Sequence, residues 1–357
     1  MTEYSEDELN AIVLDSFSAL TYKCKYECTQ SFSYSSPSQK FDDEIIKSVG
    51  EDIYNKIRED FYSPSYRSGV LARLEKLGIR CVTYFSEDYP ESFKNIPAPP
   101  FVLYCRGNVK LLHSRCFGVV GSRRTLANIL KECSKISSQL AQKFTIVTGT
   151  ASGADTAAAQ GALEGGNLIF FAAQGLGHIY PAGSGKLYKM AAERGLVITE
   201  QRPEVAARAY LFPVRNRLIA ALAEGVLVVS AGQKSGASIT AEYAFEYGRD
   251  VFCFPYSLGV PSGKGCNNLI KKGAYLTESA ADIFSQYGIS LKAQEAVSLT
   301  EREKHVLSAL EKRGEAHIQQ IADDLGCNAY ELLSDLSSLE VKGLICRLGG
   351  NRYCALT

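Results

Sequence analysis

From residue 117 onward the sequence alternates short apolar runs with helix-like stretches, and no other feature limits the fold as strongly. FGVVG (117–121) precedes a segment to Gln142, FTIVTG (144–149) precedes SGADTAAAQGALEGG, and NLIFFAA (167–173) precedes a helix around KLYKMAAER. LVITEQ (196–201), the RNRLIAALAEG helix, VLVVSA (226–231), the SITAEYAFEYG helix and DVFCFPY (250–256) continue the series. Strand-length runs without polar interruption, each followed by a helix, read as parallel strands covered on both faces. The expected core is therefore an α/β, Rossmann-like, doubly wound parallel sheet over residues 86–285.

A chain of 357 residues is too long for one core of typical size, so flanking domains are expected. Residues 1–85 read as an amino-terminal helical domain. It is SAM- or helix-hairpin-helix-like in outline but atypical, because the LPG-type or GxG hairpins of a helix-hairpin-helix are missing. SFSYSSPSQ (31–39) reads as a loop and residues 286–297 as a linker. Over 298–357, LTEREKHVLSAL, HIQQIADDLG and NAYELLSDLSSLEVKGLI give three amphipathic helices, and CRLGGNRYCAL adds a Gly-Gly hairpin. That is the outline of a winged helix.

The net charge of zero conceals a pattern, since residues 1–109 carry −5, residues 110–285 carry +7 and residues 298–357 carry −2. A basic middle between acidic ends points to an anionic ligand for the middle. Eleven cysteines without a C-x-x-C pair suggest neither a disulfide framework nor a zinc site, and reduced, mostly buried thiols are expected. No apolar run approaches a membrane span, and the acidic start MTEYSEDELN is unlike a secretory signal, so a cytosolic protein without membrane contact is expected.

In a doubly wound sheet the ligand crevice lies beyond the carboxyl ends of the strands. Those ends carry Gly121-Ser122-Arg123-Arg124, then Gly149-Thr150-Ala151-Ser152-Gly153, then Gln174-Gly175-Leu176-Gly177 running on to Tyr180 and Lys186. A later strand ends in Gln233-Lys234-Ser235-Gly236-Ala237-Ser238, and the last leads to Gly259, Gly263, Lys264 and Gly265. Glycine lets backbone N–H groups approach an anion, and each loop opens a helix whose amino end is partly positive. Repeated around one rim, such loops make a phosphate-binding surface. GxGxxG is absent, and GSGKL (183–187) fails as a P-loop because Leu187 replaces Ser or Thr. Glycines that merely permit tight turns are the competing reading of any single loop.

FPVRNRLIAAL (212–222) poses the sharpest question. Pro213 is expected to end the preceding segment, Asn216 to cap a helix, and Leu218, Ile219 and Leu222 to form its buried stripe. Arg215 and Arg217 would then stand at the amino end of that helix, where cations repel the dipole unless an anion sits between them. The alternative is an intramolecular pair with Glu200 or Glu224. Phe212, Tyr180 and Phe254 lie beside these loops and offer faces for stacking bases, although aromatics at strand ends are more often core.

VGSRR (120–124), TGTASGADTAAAQGAL (148–163), GLGHIYP (175–181), FPVRNRLIAAL (212–222), KSGASITAEYAFEYGRDVF (234–252) and GCNNLIKKGA (265–274) closely resemble the DprA/Smf family of DNA-processing proteins. The resemblance runs in order from LEKLGIRCVTYFSEDYP (74–90) through residue 285. It implies a non-catalytic, homodimeric binder of single-stranded DNA that loads the RecA recombinase onto DNA taken up in natural transformation, with no cofactor and no metal. By position, the family's DNA-binding pocket maps onto Gly121, Ser122, Arg123, Lys186, Arg215, Asn216 and Arg217, with Lys234, Ser235 and Gly236 nearby. The rim reading adds Arg124, Gly149, Ser152, Gly153, Tyr180, Phe212 and Ser238. The chain departs from the family where Ala159 replaces a His, Ser230 an acidic residue and Tyr256 a Gly.

No catalytic set is evident. The four histidines (His113, His178, His305, His317) are scattered, and lone His178 on the rim reads as a hydrogen-bonded structural residue. A second reading, a Rossmann-like enzyme on free nucleotides such as a phosphoribohydrolase, would rest on Asp155 and Glu242. The acidic winged helix reads as a protein interface more than a duplex-binding module.

Overall fold

Phe170 and Phe171 are consecutive, so in a strand they point to opposite faces, and both are fully buried. Phe170 packs on Tyr188 with ring centroids 5.3 Å apart, and Phe171 on Phe93 at 6.5 Å. Both faces of the sheet are therefore covered, as the uninterrupted apolar runs require. The structure, a computed structural model, describes residues 4–21, 24–25, 39–233, 235–290 and 299–355. Lys234, residues 31–38 of the expected loop and residues 291–297 of the expected linker lie outside the described residues.

The chain divides into two units, Met1–Ile283 and Phe284–Thr357. In the first, helices α1 (Glu6–Ser16), α2 (Gln39–Val49), α3 (Glu51–Tyr62) and α4 (Pro64–Lys76) lead into strand β1 (Arg80–Thr83), the short α5 (Glu91–Lys94) and β2 (Val102–Gly107). The alternating region follows as β3 (Cys116–Gly121), α6 (Ala127–Leu140), β4 (Thr145–Gly149), α7 (Ala154–Gly165), β5 (Leu168–Phe171), α8 (Gly185–Arg194), β6 (Leu196–Thr199), α9 (Leu211–Leu222), β7 (Gly225–Ser230), α10 (Gly236–Glu246), β8 (Asp250–Cys253), α11 (Lys264–Lys271), β9 (Tyr275–Leu276) and α12 (Ala280–Gln286).

The nine strands form one sheet in the order β1-β2-β6-β5-β4-β3-β7-β8-β9. From β6 to β9 neighbours are parallel, whereas β1–β2 and β2–β6 are antiparallel. The doubly wound sheet is thus present, extended at one edge by an antiparallel pair that the alternation does not announce. The amino-terminal helices belong to the same unit as the sheet, and β1, inside the expected helical stretch, is its edge strand. β4, β5 and β6 step away from β3 on one side, while β7, β8 and β9 step away on the other. Such a reversal leaves a crevice at the strand ends between β3 and β7.

The second unit holds α13 (Glu301–Arg313), β10 (Glu315–His317), α14 (Ile318–Leu325), α15 (Leu333–Val341), β11 (Ile345–Leu348) and β12 (Arg352–Ala355). Its sheet, ordered β10-β12-β11, is antiparallel and packs with Val306, Leu310, Ile321, Leu336, Leu339 and Tyr353 into one core. Three helices and a small sheet ending in the Gly349–Gly350–Asn351 turn make the winged helix. Among the described residues, no helix is long and apolar enough to cross a membrane.

Candidate nucleic-acid interface

The helix of FPVRNRLIAAL begins earlier than its proline suggests. α9 starts at Leu211, which places Pro213 in the first turn, where its missing N–H leaves no helical bond unmade. Asn216 therefore lies in the second turn and is not a cap, and neither arginine stands at the amino end. Leu218, Ile219 and Leu222 are buried as expected.

Two residues apart on a helix is about 200°, so Arg215 and Arg217 leave α9 on opposite faces. Arg217 pairs with Glu200, and the two side chains are only 11% and 12% exposed. Burial pushes the Glu200 carboxyl up, opposed by the Arg217 charge. The expected crevice role for Arg217 is corrected accordingly: the acid named as its alternative partner holds it away from the residues lining the crevice. Glu224, the other acid considered, instead binds Arg115 at 2.7 Å.

Arg215 does reach the crevice, as a buried cross-link. Its Nη1 donates to the Phe171 carbonyl at the end of β5 (2.6 Å), its Nε donates to Asn216 Oδ1 (3.1 Å), and Nη2 lies 3.9 Å from the Asp155 carboxylate. Burial lowers the Arg215 pKa while Asp155 counters it, and burial raises the Asp155 pKa while Arg215 counters it. Asp155 sits in the first turn of α7, where the helix dipole favours a carboxylate, and accepts the Ala151 N–H at 3.3 Å. The guanidinium passes directly over Gly149, where any β-carbon would overlap both it and Asp155. Asn216 Nδ2 donates to the Gly236 carbonyl at 3.0 Å and ties α9 to the start of α10.

Around this framework lies a crevice of about 210 Å³ at the β3–β7 reversal, lined by Gly121, Ser122 and Arg123 after β3, Phe212 from α9, and Ser235 and Gly236 after β7. Ser235 caps α10 by accepting the Ser238 N–H at 3.3 Å. Gly236 and Ala237 open that helix, and first-turn N–H groups have no partner inside a helix. Gly153 has φ +83°, and a β-carbon there would run into the Ser122 and Arg123 carbonyls, so the loops after β3 and β4 touch backbone to backbone.

At the mouth, Arg123 lies 4.6 Å over the Phe212 ring, which meets Tyr180 edge-on at 5.6 Å. Arg123 and Arg124 are exposed, and neither has an acidic partner among the described residues. Ser152 and Lys186 line a separate, larger cavity of about 1040 Å³, with Gln160 and Arg194 that sequence reasoning did not single out. Ser238 Oγ is 3.5 Å from the Gly232 carbonyl and serves the turn, while Phe254 is core, 5% exposed. The His178 ring Nε2 bonds the Glu204 carbonyl oxygen at 3.0 Å, as a structural residue would. Asp155 lines the crevice but Glu242 is exposed on α10 outside it, so the carboxylate pair wanted for nucleotide hydrolysis is not assembled.

A doubly wound sheet with a crevice at its reversal, Arg123 over the Phe212 ring at the mouth and no dinucleotide loop defines a Rossmann-like α/β protein. Comparison with known proteins agrees. The family described as DNA recombination-mediator protein A matches residues 80–288, and the DprA winged helix domain matches residues 291–351. DNA processing protein DprA of Bacillus subtilis (strain 168) is 36% identical over 259 residues, covering 70% of this chain and 86% of that protein. A crystal structure of DNA processing protein A from Streptococcus pneumoniae superposes with a TM-score of 0.69 at 29% identity, covering 80% of this chain and 99% of that one. A structure of the Helicobacter pylori protein, described for its single-stranded DNA binding mode, gives 0.54 at 28% identity, covering 59% and 97%. The chain belongs to the DprA/Smf family of DNA-processing, recombination-mediator proteins.

Proposed function

We propose that the protein binds single-stranded DNA across the β3–β7 crevice and hands it to the RecA recombinase, as a homodimeric, non-catalytic mediator acting in the cytosol on DNA taken up in transformation. The observation that supports the binding reading is the exposed Arg123 guanidinium over the Phe212 ring, which meets Tyr180 edge-on, at the crevice mouth. A cation for the sugar-phosphate spine beside faces for unstacked bases is what sequence-tolerant single-strand binding requires. The α10 amino end supplies further donors, Lys186 a further cation in the neighbouring cavity, and Arg215 and Asn216 hold the loops in place. The homodimer and the recombinase hand-over follow from the family resemblance.

The test is the affinity for poly-thymidine oligonucleotides across a salt series. Phosphate contacts on single strands give a slope of about −0.7 per contact in log K against log salt. Replacing Arg123 and Arg124 by Ala is expected to flatten that slope by about one contact each and weaken binding at every salt concentration. Affinity unchanged from about 50 to about 200 mM salt would remove the crevice as the binding surface.

A further inference from the structure

Seven of the ten described cysteines are buried, the ordinary place for thiols that act as small apolar groups. Cys346 and Cys354 depart from that. They lie on β11 and β12, and the strand register sets them directly opposite one another. Side chains alternate along a strand. Ile345 and Tyr353, the residues next to them, enter the winged-helix core, so the two cysteines lie on the outer face of the sheet, half-buried. Their sulfurs are in contact at 3.0 Å. Directly opposed residues of an antiparallel pair have Cα atoms about 4.5 or about 5.5 Å apart, inside the span of about 4.4–6.8 Å that a disulfide bridges. Core packing gives no reason for two thiols to meet on that face.

We infer that Cys346 and Cys354 form a redox-active dithiol, a modification site for hydroperoxides on the winged helix. In the first step one thiolate sulfur attacks a peroxide oxygen, the O–O bond breaks, and a sulfenic acid forms as hydroxide leaves and is protonated to water. In the second, the partner sulfur attacks the sulfenic sulfur, the S–S bond forms, and water leaves with the thiol proton. The two thiols lose two electrons and two protons in all, and one hydrogen peroxide becomes two waters. The new bond would tie edge strand β11 to central strand β12. It would also fix the turn between them, where Gly350 (φ +73°) and Asn351 (φ +57°) both take the left-handed conformation.

The experiment uses the reduced full-length protein, titrated with hydrogen peroxide, quenched with N-ethylmaleimide and mapped by peptide mass spectrometry. The expected first product is an intramolecular Cys346–Cys354 disulfide, about 2 Da lighter and reversed by dithiothreitol. Amide exchange across residues 345–355 should slow about tenfold in that species. Cys346→Ser and Cys354→Ser should each abolish the bridge. Oxidation of Cys327 before this pair, conversion of either thiol to sulfinic acid without a disulfide, or an intermolecular bridge would overturn the assignment. Unchanged exchange in the bridged species would overturn the claim that the bond fixes the hairpin.

Discussion

At the scale of single residues, the two arginines of FPVRNR have different jobs although they share a helix turn and a charge. Arg215 crosses Gly149 to bond the end of β5, whereas Arg217 is closed off against Glu200. Removing Arg217 alone leaves a buried carboxylate unpaired, and such a loss costs about 3–5 kcal/mol, whereas replacing both partners by apolar residues is often neutral. Arg217→Ala should therefore be strongly destabilised in urea unfolding. The double variant Glu200→Leu with Arg217→Leu should recover most of that stability and bind poly-thymidine within about twofold of the parent. A large loss of affinity in the folded double variant would return Arg217 to the DNA. The sequence carried the signal for this division, since residues two apart on a helix cannot face one ligand. Pro213 masks it, because a proline that resembles a helix stop is tolerated in the first turn. Gly149 was legible as a loop glycine, but not as the gap through which a guanidinium passes.

At the scale of elements, strands β3 to β8 were readable because strands buried on both faces need uninterrupted apolar runs. β1 and β9 were not, being four and two residues long with little apolar run to show. β2 pairs antiparallel on both sides, a pairing that no βαβ alternation announces. The winged helix carries its own electrostatic clamp. Glu303 forms a capping box with Thr300 at the start of α13, accepts Lys342 Nζ at 2.6 and 2.7 Å, and accepts Ser338 Oγ at 2.6 Å. The Lys342 hydrogen bond, then those from Ser338 and Thr300, hold its carboxyl at about 2, below its ordinary value of 4.5. A depressed carboxylate stabilises the fold fully above its unfolded value and loses that contribution as pH falls through its folded value. Amide exchange over residues 301–342 of the whole chain should therefore accelerate as pH drops from about 4.5 to about 2, after correction for intrinsic rates. In Glu303→Gln this pH dependence should be much weaker.

For the whole molecule, the proposed binding surface falls in the basic part of the chain. The basic middle of the chain falls in the sheet domain, and the exposed Arg123 lies at its reversal crevice. The winged helix is net acidic, and five of its seven cations, Arg302, Lys304, Arg313, Lys342 and Arg352, pair with its own acids. Deleting residues 298–357 is therefore expected to change oligonucleotide affinity by no more than about threefold, by gel shift or fluorescence anisotropy. A collapse of binding would move the main contact to the winged helix.

On the proposed function, a polynucleotide strand lies across the Arg123–Phe212–Tyr180 corner. Photocrosslinking of a 5-iodouracil-substituted single strand to the full-length protein, followed by peptide mapping, reads that directly. Adducts on Phe212 or Tyr180, suppressed by unlabelled poly-thymidine, are the expected result. Specific adducts confined to residues 301–355, with none at the corner, would contradict it.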